Sequence, residues 1–129
     1  MPPELYPAGP LTALPDRPHS HAFIAPASAG WTQVALMEWE LTAESWSDEH
    51  PHDEYDYVLD GVLLVTCDGQ TVEAPADSVI RVPAGTTGHY AAPVQARMLA
   101  IYGPNPQGLP SAVHGLSRLT GGGTRPAEG

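Results

Sequence analysis

Over residues 31–41 the side chains alternate: Ala35, Met37, Trp39 and Leu41 share one parity, and Glu38 and Glu40 fall on the other. A period of two is the signature of a half-buried strand, because successive side chains of extended chain point to opposite faces. Residues 55–59, 62–67, 70–74, 78–82, 89–92 and 96–102 are further short apolar runs, and no helical spacing appears between them. Turn residues separate them: Asp60-Gly61, Asp68-Gly69 and Pro83-Ala84-Gly85. Glycine supplies the positive φ that tight hairpins need, and proline ends a ladder. Residues 42–49 read as a polar connection. Short strands at regular intervals favour an all-β sandwich or barrel.

The flanks differ from this middle. Residues 1–30, rich in proline, alanine and glycine, are expected to form an irregular arm with a short strand around Ala22, Phe23 and Ile24. Residues 103–129 are expected to form a second arm, with a short helix or arm at 110–119 and a disordered tail from Gly121. The barrel therefore takes residues 31–102. At 129 residues the chain is one domain.

Charge removes several function classes. The net charge of −10 argues against nucleic acid or an anionic membrane as partner. No lysine is present, which excludes Schiff-base chemistry through one. Cys67 is the single cysteine, so neither an intrachain disulfide nor a zinc finger can form. The start of the chain lacks the pattern of a signal peptide and no run reaches membrane-spanning length, so a cytoplasmic location is expected.

The chemistry concentrates in residues 50–61, HPHDEYDYVLDG. If this segment is extended, His50, His52, Glu54 and Asp56 crowd one face. Two imidazoles and a carboxylate held in this way are the donors of a 2-His-1-carboxylate metal site. His19 and His21 form another His-x-His, but in the proline-rich arm and without a matching carboxylate, and His114 lies in the tail. All three are read as surface residues.

Glu54 and Gly61, with Tyr57-Val58-Leu59-Asp60-Gly61 between and after them, resemble the first motif of the cupin family. Pro83-Ala84-Gly85 followed by His89 resembles the second. The resemblance covers residues 31–102 and implies a double-stranded β-helix, or jelly-roll barrel. It also implies a divalent metal (Fe, Mn, Ni or Zn) held by His50, His52, Glu54 and His89, and a carboxylate or tyrosine, Glu54 or Tyr102, that moves a proton. The spacing departs from the family's in three places. Counted strictly back from Glu54, the two histidine positions fall on Asp48 and His50. Asp77 stands where the second motif begins with glycine, and His89 comes one residue late, with Gly88 in the histidine position. A one-residue offset turns a strand side chain to the opposite face, and a bulge at Gly88 would restore its direction.

Two functions are implied. One is a small metal-dependent enzyme (dioxygenase, isomerase, lyase or cyclase) acting on a small neutral or aromatic molecule. The other rests on Asp53-Glu54-Tyr55-Asp56-Tyr57-Val58-Leu59-Asp60-Gly61, which looks like the ethanolamine-utilisation accessory cupins. That reading makes the protein a non-catalytic or metal-free ligand-binding cupin. Small cupins pair through sheet edges and arms, so a homodimer is expected.

Overall fold

A computed structural model describes residues 2–119 and shows seven strands and no helix among them. They are β1 (His19–Ile24), β2 (Ala35–Glu49), β3 (Glu54–Cys67), β4 (Gln70–Pro75), β5 (Val79–Val82), β6 (Thr87–Tyr102) and β7 (Ala112–Arg118). All pairings are antiparallel.

Three long strands organise the molecule. β2, β6 and β3 lie side by side and each breaks register near its middle: between Thr42 and Glu44, between Gln95 and Ala92, and between Gly61 and Leu64. Ala43 has φ 50° and Gly61 has φ 78° at these breaks. A bulge bends a strand and increases its twist. Each long strand therefore serves two half-sheets in turn. One half has the order β1-β2-β6-β3-β5 and the other β7-β2-β6-β3-β4, which is the jelly-roll arrangement. Gly61 is obligatory at its bend, because a Cβ there would run into the backbone carbonyl oxygen of Gln95.

Several expectations are corrected by this bending. Asp60-Gly61 is a kink inside β3, not a turn between two strands. Residues 42–49, expected as a polar connection, form the second half of β2, and residues 89–92 and 96–102 belong to one strand. A polar surface and a central Pro93-Val94 conceal continuity in a strand whose outer face meets solvent. Residues 112–118 are strand, not helix, because β7 finds a partner edge on β2. β1 and β7 fall within the expected arms, and both pair with β2. The tail from Gly121 lies outside the described residues.

The hairpin at Asp68-Gly69 has φ 51° and 77°, the two positive values of a type I′ turn. Asp77 takes φ 68°, the left-handed conformation that a glycine would adopt at this motif position. Gly88 shows no bulge: Trp46↔Tyr90, Ser47↔His89 and Asp48↔Gly88 pair in unbroken register.

Leu41, Val58, Leu63, Met98 and Ala100 are fully buried between the half-sheets, with Trp39 and Tyr90 beside them. Burying each large aliphatic side chain stabilises the fold by about 1.5–3 kcal/mol. No helix among the described residues is long and apolar enough to cross a membrane.

Candidate functional site

The end of β2, the start of β3 and the turn between them place four polar side chains at the mouth of the barrel. Asp48 closes β2, Glu54 opens β3, and His50 and His52 lie in the link. Asp48, His50 and Glu54 each offer one ligand atom, and these atoms lie within 4.8 Å of one another. Nε2 of His50 stands 3.1 Å from Asp48 Oδ2 and 3.2 Å from Glu54 Oε1. It is buried and aligned for a hydrogen bond with neither, and Asp48 Oδ1 is buried without a partner.

Each ligand candidate is braced from behind. Trp46 donates its indole N–H to Asp48 Oδ2 at 2.8 Å. Tyr90 donates its hydroxyl to Glu54 Oε1 at 2.9 Å. Ser111 Oγ lies 2.6 Å from His50 Nδ1. Asp56, fully buried two residues beyond Glu54, accepts the indole N–H of Trp39 at 2.9 Å. Burial and the neighbouring Glu54 charge push the Asp56 carboxyl well above the usual carboxylate range, which favours its neutral form, and its Oδ2 is buried without a partner. Burial opposes ionisation of Glu54 too, but the interaction with His50 prevails and its pKa falls. Burial also opposes the charge on His50, yet Asp48 and Glu54 outweigh it and lift its pKa to about 9.

His52 stacks on His50, with ring centroids 4.7 Å apart and planes 15° from parallel. Its Nδ1 lies 3.0 Å from the carbonyl oxygen of Asp53. A carbonyl only accepts, so Nδ1 carries the proton and Nε2 of the neutral ring carries the lone pair. Burial lowers the His52 pKa and keeps that ring neutral. Tyr102 packs against both imidazoles, at 5.2 Å and 5.6 Å, and burial drives its phenol pKa far upward.

These groups floor a cavity of about 520 Å³ walled by Trp31, Met37, Trp39, Trp46 and Tyr102. Two segments roof it. Trp31 and Asn105 exchange backbone hydrogen bonds at 2.9 Å each. The amide of buried Asn105 in turn bonds Leu109 in both directions, at 2.9 and 3.1 Å.

Of the residues singled out from sequence, the fold brings His50, His52, Glu54 and Tyr102 together. His89 is placed elsewhere: it is exposed on the outer face of β6, with Nδ1 3.1 Å from Ser47 Oγ. Unbroken pairing turns Gly88 and Tyr90 inward and His89 outward. Asp48, reached by strict motif spacing, lies beside His50 among the three residues that could hold a metal ion. Trp39 and Trp46, which belong to no motif, are the donors that hold Asp56 and Asp48. Ser111 gave no signal in the sequence, since a serine between a proline and an alanine carries no pattern.

Residues 24–107, more than half of the chain, match the family described as ethanolamine utilisation protein EutQ. Over 69 residues the chain is 33% identical to acetate kinase EutQ of Clostridioides difficile, covering 54% of this chain and 43% of that protein. The chain thus spans less than half the length of that relative. A solved ethanolamine utilisation protein Q from Salmonella typhimurium superposes with a TM-score of 0.51 at 29% identity, over 57% of this chain and 59% of that one. Salicylate 1,2-dioxygenase from Pseudaminobacter salicylatoxidans shares the fold, with a TM-score of 0.64 at 16% identity over 81% of this chain and 32% of that one. Motif, topology and match agree: the chain is a cupin and belongs to the EutQ family.

Proposed function

We propose that this protein is a metal-dependent cupin that acts on a small, neutral or aromatic molecule, with Asp48, His50 and Glu54 holding one divalent transition metal. The observation that carries this reading is His50 Nε2, buried between two carboxylate oxygens at 3.1 and 3.2 Å and hydrogen-bonded to neither. Donor atoms that share an ion at about 2.0–2.2 Å stand roughly 3–3.5 Å apart, so the spacing suits a common ligand. One imidazole and two carboxylates suit Fe, Mn, Ni or Zn. A metal bound there supplies Lewis acidity toward an oxygen of the ligand.

The remaining residues divide the other tasks. Trp31, Met37 and Tyr102 exclude water and pack an apolar or aromatic body. His52 Nε2 accepts a proton from a bound molecule, since Nδ1 is committed to the Asp53 carbonyl. Behind the site, burial and the Glu54 charge raise the pKa of Asp56, while His50 lowers that of Glu54, so the two carboxyls are biased toward opposite charge states. The acetate kinase activity in the name of the Clostridioides difficile relative is not part of this proposal. Acetate and a phosphoryl donor are anions, and the cavity's Asp48 and Glu54 face a single arginine, Arg17, at its rim.

A second reading has its own support. An imidazolium at His50, favoured by Asp48 and Glu54, balances charge without metal, as a metal-free ligand-binding cupin requires. Plasma mass spectrometry of the purified protein, with calorimetric titration of Fe(II), Mn(II), Ni(II) and Zn(II), decides between them. The metal reading requires near-stoichiometric binding of one metal, lost in folded His50→Ala and Asp48→Asn variants. Absence of binding by the wild type overturns it in favour of the metal-free cupin.

A further inference from the structure

We infer that Ser111 is a positioning residue that fixes the His50 ring so that Nε2 faces Asp48 and Glu54, which makes the C-terminal strand part of the site. Residue 111 lies beyond residues 24–107, the portion that matches the EutQ family. The contact follows from register. β7 pairs with β2 at Glu49↔Ala112 and Asp48↔Val113, so the residue preceding Ala112 falls opposite the residue following Glu49, which is His50. There Ser111 Oγ comes within 2.6 Å of Nδ1.

Three features keep it in place. β7 is hydrogen-bonded along β2 from Ala112 to Arg118. Asn105, 5% exposed, clamps Leu109, and Trp31 clamps Asn105. The hydroxyl therefore arrives on a segment anchored on both sides. An imidazole rotates about its Cβ–Cγ bond unless its second nitrogen is engaged. His52 stacks on one face of His50 and limits sideways movement, but stacking does not choose between the two edges of a ring. Ser111 makes that choice: with Nδ1–H donating to Oγ, only Nε2 remains to face the carboxylates.

The inference rests on the metal reading for its consequence but not for its geometry, so two readouts separate them. In metal-free protein labelled with ¹⁵N-histidine, the His50 Nδ1–H is expected as a downfield, slowly exchanging proton in the wild type and in Ser111→Thr. It is expected to be absent in Ser111→Ala. An unchanged signal in Ser111→Ala overturns the inference whatever the metal does. Under calorimetric titration with Zn(II), Ser111→Ala is expected to bind about 10-fold or more weakly, and Ser111→Thr to restore the affinity. Equal affinity in Ser111→Ala and wild type also overturns the inference. If the wild type binds no metal, the proposed function fails, and the proton signal alone judges Ser111.

Discussion

The phenol of Tyr90 fills the space that a side chain at Gly88 would need: a Cβ at residue 88 would lie 2.7 Å from the Tyr90 hydroxyl oxygen and 2.8 Å from Cζ. Both residues face the barrel interior from the same strand, two positions apart, and Tyr90 is 1% exposed. The histidine position of the second cupin motif is thus empty of side chain here, and Tyr90 reaches Glu54 through it.

Gly88→Ala is therefore expected to destabilise the fold by about 1–3 kcal/mol, because the wedged methyl must push the Tyr90 ring off its bond to Glu54. Urea denaturation measures the loss. A midpoint equal to that of the wild type would show that the ring moves without cost.

Trp39→Phe removes the one donor to Asp56 Oδ1 among the described residues, while Asp56 Oδ2 already has no partner among them. A buried polar group left unsatisfied costs about 1–3 kcal/mol. Trp31→Phe, which loses a longer 3.2 Å bond to the Tyr102 carbonyl in a half-buried setting, is expected to cost less. Comparing the two denaturation midpoints checks the order.

In protein stripped of metal, the folded His50 pKa of about 9 stands above its ordinary 6.5. The folded state holds its proton more tightly than the unfolded chain, so the contribution is fully present below pH 6.5 and is lost as pH rises through 9. Thermal melting of the chelator-treated protein should show this decline across that window. His50→Gln should remove that part of the slope. A wild type and variant with parallel profiles would show that the imidazolium is not held by Asp48 and Glu54.

Asp77 sits at φ 68° and accepts the Tyr57 hydroxyl at 3.2 Å on the surface. Asp77→Gly is expected to change stability by less than about 0.5 kcal/mol, since relief of backbone strain offsets an exposed hydrogen bond. Asp77→Val, which forces a β-branched residue into the left-handed region, should cost about 1–2 kcal/mol. Melting temperatures of the two variants separate the effects, and equal values would mean that backbone conformation does not set the preference here.

Alternation and turn chemistry are local properties, so the all-β class, the Asp68-Gly69 hairpin and the cupin motifs were legible in the sequence. So was the gathering of His50, His52 and Glu54, because a linker of few residues cannot carry them far apart. What escaped depends on partners distant in the chain. The kinks at Ala43 and Gly61 are recognisable only once three strands bend at one level. β7 is a strand because β2 offers it an edge, and Ser111 meets His50 because that pairing has a particular register. The direction of His89 turned on whether Gly88 bulges, and the regular ladder from Glu49 to Glu44 decided it. Sequence specifies which side chains share a face within a segment, since that follows from backbone periodicity. Only the tertiary structure specifies which faces meet, because register is a relation between segments that neither contains alone.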